Sequence, residues 1–349
     1  MTAITGIDLP AGSPGGSMEL LRDLYLAPGR PVPADVFTLA GPSGSGAVML
    51  PVEGKTLSGP GFWRYVDALS TAIIDRFQPE DYGIVHLQHL AFGATPALLR
   101  AFPRHPAVAF VHGTDLIFAA DDPTQAEVLR EAVKAADVVA TPTLAMADLL
   151  RDITPVEPRR IAHIPWGVPD ELLARPLSPR RAEGGDLRLL YAGRLTAEKG
   201  VESLLAAVDR LDGVTLSVAA PEAEFRALRG RVSGVRYLGW LDRRELWEVF
   251  GDHDLLAVPS ARLEAFGLVA VEAQACGLPV LYQGVPGLAE VLGDSALSLS
   301  GDLADVLAWL ARDPGALEDL RTAGRANAAR FPLSNTIRDI NSLSAELQR

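Results

Sequence analysis

The chain has 349 residues, 48% of them hydrophobic and 22% charged. These are ordinary globular values that exclude disorder, collagen and coiled coil. Thirty-two basic against 44 acidic residues leave a formal charge of −12, so nucleic acid and anionic membranes are poor partners. No apolar run approaches the roughly 18 residues that span a bilayer, and the start MTAITGIDLP lacks the basic and apolar pattern of a leader. The single cysteine, Cys276, excludes an intramolecular disulfide framework and points to a reducing, cytoplasmic setting.

At roughly 150 residues per domain, the length suits two domains. In the first half, apolar runs predict strands at Ala3–Leu9, Val36–Leu39, Ile84–Gln88, Val108–Val111, Val138–Thr141 and Ile161–Ile164. Helical periodicity falls between them, at Ser17–Leu26, Phe62–Phe77, Thr124–Ala136 and Leu144–Arg151. This alternation is that of βαβ units, hence a parallel sheet covered on both faces. After the first strand, GSPGGS (Gly12–Ser17) opens a helix, with Ser17 as the expected N-cap. The Gly15-Gly16 turn lets a ligand approach the backbone closely. It lacks the G-x-G-x-x-G spacing of a dinucleotide binder, which argues against a dehydrogenase. The stripe Phe62, Trp63, Tyr65 on the helix Pro60–Phe77 fits core, a lid or a membrane face, and core or lid is preferred.

Residues 167–186 carry Pro169, Pro176, Pro179 and Gly184-Gly185 and read as a linker between domains at 1–166 and 187–330. A second run of alternating elements follows. Strands are expected at Leu187–Tyr191, Val214–Val218, Val235–Leu238, Leu255–Val258 and Pro279–Tyr282, and helices at Ala197–Leu211, Glu222–Arg229, Arg243–Phe250 and Gly267–Cys276. Helices dominate from Leu303, and 331–349 form a C-terminal helix that can cross back to the first domain. The fold class is therefore α/β, two doubly wound Rossmann-like domains facing across a cleft, with ligands beyond the carboxyl ends of the strands.

Two segments at such strand ends carry charge. In LRLLYAGRLTAEKG a strand ends at Gly193, followed by Arg194 and, at a helix opening, Lys199. A planar fork and a point charge suit a diphosphate. A turn with solvated charges fits the same residues. In VPSARLEAFGLVAVEAQACGLP, Glu264 lies in a loop, Gly267 precedes a helix and Glu272 lies on it. Gly267 and Leu268 can aim backbone N–H groups at an anion. Five residues at 1.5 Å each set Glu272 about 7.5 Å along the axis. The two carboxylates can flank a diphosphate and accept from vicinal hydroxyls. A surface loop residue and an ordinary helix former are the bland alternatives.

Together, GRLTAEKG and E-AFGLVAV-E-AQACGLPV resemble the signature of family 4 glycosyltransferases, nucleotide-sugar enzymes of the GT-B fold. The resemblance covers the second domain, including YLGWL and DLLAVPS, and more loosely the first. It implies that Arg194 and Lys199 hold the donor diphosphate, Glu264 the donor sugar and Glu272 the ribose. It implies phosphate contacts from the backbone at Phe266, Gly267 and Leu268, a base lying against Tyr237 and Leu238, and donor contacts at Gly15, Gly16 and Gly193. His112 in VHGTD is expected to face the donor sugar and serve catalysis, and His89 and Asp115 the acceptor side. A satisfied loop histidine remains the alternative for His112, and a strand-interior role is favoured for His86.

Retention of anomeric configuration, no metal and no required cofactor are further implications. Asp252-His253-Asp254 resembles a metal-binding D-x-D but is read as structural, and no third ligand stands near His86 and His89. Departures from the pattern are Ala219-Ala220-Pro221 for a glycine pair, Trp166 for an asparagine, and Pro286-Gly287 for Gly-Gly. The expected partners are a nucleoside-diphosphate sugar (UDP, GDP or dTDP) and a small soluble acceptor, with natural-product scaffolds and small thiols as examples. Oligomeric state is open. The alternatives are a sugar-nucleotide epimerase or hydrolase using the same donor site, and a non-catalytic sugar-nucleotide binder.

Overall fold

The computed structural model describes residues 2–39, 46–175, 185–228 and 234–349. It contains two compact units, Met1–Pro165 with Asn335–Arg349, and Trp166–Ser334.

Among the described residues the first unit has seven strands: β1 (Thr2–Gly6), β2 (Ala34–Thr38), β3 (Val48–Met49), β4 (Tyr82–Leu87), β5 (Ala107–Phe110), β6 (Val138–Thr141) and β7 (Ile161–His163). They lie in the order β3-β2-β1-β4-β5-β6-β7, and all neighbours are parallel. The inner strands are covered on both faces, which is why β5, AVAF, is buried at every position. The helix Pro123–Ala135 starts where Asp122 accepts from the Gln125 N–H with Pro123 at the first position. The helix Gly59–Arg76 turns Phe62, Tyr65, Val66, Leu69 and Ile73 inward, so its apolar stripe is core. Trp63 lies off that stripe, with the Arg100 guanidinium 5.1 Å from its ring centre. No helix among the described residues is long and apolar enough to cross a membrane.

The second unit has six parallel strands: β8 (Leu187–Ala192), β9 (Val214–Ala219), β10 (Val235–Gly239), β11 (Leu255–Val258), β12 (Val280–Tyr282) and β13 (Leu297–Ser298). Their order is β10-β9-β8-β11-β12-β13. Chain order reverses between β1 and β4 in one sheet and between β8 and β11 in the other. At such a switch point the loops on either side run apart and leave room for a ligand.

Three expectations need correction. The first helix begins at Gly16 with Gly15 as its N-cap, so Ser17 lies inside the first turn. Gly15 takes the cap because its φ of +134° suits glycine. The stretch expected as the helix Ala197–Leu211 is a 3-10 turn, Ala197–Lys199, then a left-handed Gly200, then the helix Val201–Val208. Residues 167–175, expected as linker, are folded into the second unit. There Val168 exchanges backbone hydrogen bonds with Phe331 and Leu333, each 2.9 Å, and Asp170–Leu173 forms a helical turn. Gly167 is forced by packing, since a Cβ there would meet the Leu333 backbone at 2.5 Å. Residues 176–184 of that stretch, and Arg229, lie outside the described residues. The C-terminal helix Leu333–Leu347 begins in the second unit, and its body belongs to the first. There Asn341 donates to the Pro31 carbonyl at 3.0 Å, and Thr336 to that of Pro165 at 2.8 Å.

Candidate functional site

The switch point of the second sheet gathers the charged residues. Beyond β8 the chain passes Gly193, whose N–H donates to Ala219 O at 3.0 Å. The Tyr191 hydroxyl donates to the Arg194 carbonyl, and Leu195 N–H to Glu224 Oε2 at 2.5 Å. The loop is thus fixed before it reaches the turn that carries Lys199. Gly200 follows at φ +67°, and a Cβ on it would stand 1.9 Å from Pro259 O in the loop after β11. Ala261 N–H completes the junction by donating to Glu198 O at 2.8 Å. Glycine therefore lets two neighbouring strand-end loops touch backbone to backbone.

That junction brings Lys199 onto Glu264. The Lys199 ammonium bonds Glu264 Oε1, which also accepts from Ser260 Oγ at 2.6 Å. Both partners are largely shielded, with side chains 26% and 16% exposed. Among the described residues Glu264 Oε2 takes no hydrogen bond, so it remains able to accept from a hydroxyl. The loop behind Glu264 is seated by Gly287, where φ is +82° and a Cβ would stand 1.9 Å from Glu264 O. The second glycine of the expected pair is thus present where it is needed, and Pro286 replaces the other. Gly267, at φ +82°, caps the helix Leu268–Ala275 without any side-chain cap; Ala270 N–H bonds Gly267 O at 2.9 Å, and the Leu268 and Val269 N–H groups are left for an acceptor. The Phe266 ring is core, edge-on to Phe331 at 5.1 Å, so only its backbone can serve a ligand.

Glu272 lies on the same helix and is 5% exposed. Its carboxylate accepts from Arg243 Nε at 2.8 Å, Arg243 Nη2 at 2.5 Å and Trp247 Nε1 at 3.0 Å. The helix is anchored by Gln274, which donates to Ser295 and accepts from Asn327 at 2.9 Å. Tyr237 on β10 stacks on Phe225 at 4.1 Å and 12° and donates to Ala220 O at 3.0 Å, so this ring has one face already covered. Asp254 holds Arg188 through both side-chain oxygens, at 2.6 and 3.0 Å, a structural tie. Burial pushes the Cys276 thiol up to about 12, which removes it as a nucleophile.

The strand ends of the first unit are of another kind. His89 follows β4, His112 follows β5, and their rings are 4.6 Å apart. Burial lowers both, His112 to about 3 and His89 well below its usual value, with His112 and Lys55 adding to the effect on His89. Both are therefore neutral at pH 7. Asp115, expected to face an acceptor, is instead fully buried. It accepts from the N–H groups of Leu90 at 3.0 Å, His112 at 3.2 Å and Leu116 at 3.1 Å. It thus braces the loops after β4 and β5. Burial raises its carboxyl to about 6 despite those donors.

Asp8 and Lys55 were not anticipated. Lys55 donates to Asp8 O at 2.6 Å and pairs with Asp8 Oδ2 at 3.2 Å, which also accepts from Gly93 N–H at 3.0 Å. Lys55 is one of three lysines among 32 basic residues, and that scarcity is the hint the sequence offers. Gly15 is unobstructed, with nothing within 4 Å of a Cβ placed on it.

Comparison with known proteins gives this arrangement a lineage. Residues 178–327 match the family "Glycosyl transferases group 1", and residues 26–172 match "Glycosyltransferase Family 4". A D-inositol 3-phosphate glycosyltransferase of Catenulispora acidiphila is 31% identical over 74% of this chain and 71% of its own length. Another, from Mycobacteroides abscessus, is 30% identical over 93% and 83%. A glycogen synthase of Mycobacterium tuberculosis is 36% identical over 46% of the chain, which spans only 41% of that protein. In structure, a sucrose-phosphate synthase of Thermosynechococcus elongatus shares the fold at a TM-score of 0.82 with 20% identity over 99% of both chains. HepE of Anabaena, solved with UDP-glucose, does so at 0.75 with 19% identity, also over 99% of both chains. Two parallel α/β units, the charged switch point of the second and these matches lead to one conclusion: the chain belongs to the family 4 glycosyltransferases, of GT-B type.

Proposed function

We propose that the chain is a retaining, metal-independent glycosyltransferase that moves a sugar from a nucleoside-diphosphate sugar to a small soluble acceptor. The observation that carries this is the junction of the loops after β8 and β11, which sets Lys199 on Glu264 beside the open start of the helix Leu268–Ala275. Lys199 and Arg194, with first-turn N–H groups, supply fixed positive potential where a departing diphosphate gathers charge, the task a metal performs in other enzymes. Glu264 Oε2 accepts a donor-sugar hydroxyl, and Glu272 accepts from the ribose. HepE, which shares the fold, was solved with UDP-glucose, in keeping with a donor of this class.

The first unit serves the acceptor. Its strand ends offer the neutral His89 imidazole and a lysine paired with Asp8, which suits an uncharged hydroxyl- or thiol-bearing molecule, while His112 faces the donor sugar. The test is a donor panel of UDP-, GDP- and dTDP-sugars with and without acceptors, repeated in chelator, with the anomer of the product assigned by NMR. Lys199→Ala should lower kcat by about 10²–10³ while the fold persists. Full transfer by Lys199→Ala, an inverted product, or loss of activity in chelator overturns the reading. Complete turnover of donor alone to epimer or free sugar would favour the epimerase or hydrolase alternative.

A further inference from the structure

Arg243 and Trp247 stand four residues apart on the helix Arg243–Gly251, and so on one face of it. A complete capping box, Asp242 with Glu245, fixes the start of that helix. Both side chains point at one target, Glu272, which is 29 and 25 positions away in sequence. The Arg243 guanidinium lies 5.7 Å from the centre of the Trp247 ring, so each donor restrains the other. The Arg243 and Glu272 side chains are only 11% and 6% exposed.

The pattern of these bonds matters more than their number. Arg243 does not take the carboxylate in the usual two-oxygen fork. Its Nε and Nη2 both donate to Oε1, and Trp247 Nε1 donates to Oε2. A carboxylate offers about four lone-pair sites. Among the described residues Oε1 is filled, and Oε2 keeps one site.

We infer that Arg243 and Trp247 are positioning residues for donor binding: they fix the Glu272 carboxylate and leave it able to accept from a single ribose hydroxyl. The inference rests on the reading of Glu272 as the ribose contact and specifies how that contact is made. A vicinal diol would otherwise place both hydroxyls on one carboxylate. Here one hydroxyl is read and its neighbour is not.

The test is calorimetric binding to the intact chain of UDP or GDP, whichever binds more tightly, and of its 2′-deoxy and 3′-deoxy counterparts. In the wild type, one deoxy form should bind about tenfold or more weakly, the range expected of one hydrogen bond to a charged group. The other should stay within about twofold. Trp247→Phe returns a lone pair to Oε2, so the silent hydroxyl should begin to matter. Arg243→Leu should erase the difference between the two deoxy forms while preserving the preference for diphosphate over monophosphate. Arg243→Lys should restore the difference in part.

Equal losses from both deoxy forms in the wild type overturn the inference. So does full retention of the difference in Arg243→Leu, or an unchanged profile in Trp247→Phe should Arg243→Leu not fold. Failure of the donor-site reading looks different: the wild type then binds neither diphosphate, or Glu272→Gln binds UDP or GDP as the wild type does.

Discussion

The two switch points use polar residues in opposite ways. Between β8 and β11 acid and base meet in pairs, Lys199 on Glu264 and, deeper, Arg243 on Glu272. Between β1 and β4, and at β5 beside them, burial has neutralised the histidines and raised a carboxyl. His86, His89 and His112 are uncharged, and the Asp115 carboxyl has risen to about 6. One sheet architecture thus presents a surface suited to an anion in one unit and a surface of low charge in the other. Glu272 and Asp115 are both buried, so the difference lies in what each meets: the Arg243 guanidinium for Glu272, and backbone N–H groups alone for Asp115.

The sharpest way to break this contrast is at Gly200. Gly200→Val puts a branched residue at φ +67° with a Cβ 1.9 Å from Pro259 O. Strain alone costs about 1–3 kcal/mol, and the loops must part. Chemical unfolding should show at least that loss, and nucleotide affinity should fall about tenfold or more as Lys199 leaves Glu264. Retained affinity would mean that the junction does not organise the charged site.

Asp115→Asn probes the other unit. The amide keeps one good acceptor for three backbone donors and turns an N–H₂ toward them. A loss of about 1–3 kcal/mol in urea unfolding is expected, with nucleotide affinity unchanged.

A third effect is one of slope. His86 is 1% exposed, bonded to Tyr25 at 3.0 Å and Ser344 at 2.9 Å. Ser344 Oγ already donates to Ile340 O, so it accepts from His86 Nε2–H, and Tyr25 donates to Nδ1. Burial lowers this imidazole from 6.5 to about 3. The unfolded chain therefore binds the proton first, and stability falls as pH drops through that window, by up to about 1.4 kcal/mol per pH unit. His86→Gln should flatten the dependence between pH 6.5 and 4. Asp115 acts with the opposite sign, since its raised carboxyl loses stability as pH climbs from about 4 to 6. An unaltered slope in His86→Gln would show that His86 is not the neutral, buried group described.

Strands were the most legible part of the fold. Parallel strands buried on both faces read as unbroken apolar runs, and Val138–Thr141 and Leu255–Val258 fall where expected. Val48–Met49 and Leu297–Ser298 are edge strands of two residues, too short for any period. The Ala197–Leu211 pattern hid a break because one glycine, Gly200, carries a tertiary demand that periodicity does not register.

Legibility at the site followed the same division. Arg194, Lys199, Glu264 and Glu272 stand out because they fall in two segments, each local to one strand end, that together resemble a family signature. Arg243 and Trp247 do not, since an arginine and a tryptophan on an amphipathic helix read as ordinary surface and core until their shared carboxylate is seen. Asp115 misled because an aspartate at a strand end looks the same in sequence whether it meets solvent or three backbone amides.

The C-terminal helix carries a last consequence, for the order of assembly. Residues 335–349 belong to the unit that residues 1–165 begin, and a ribosome makes them after the whole of the second unit. The unit synthesised first is therefore completed last. Until then the Pro31 and Pro165 carbonyls and His86 Nε2 lack the partners that Asn341, Thr336 and Ser344 provide. The amino-terminal sheet is then sealed only after the second unit has been made.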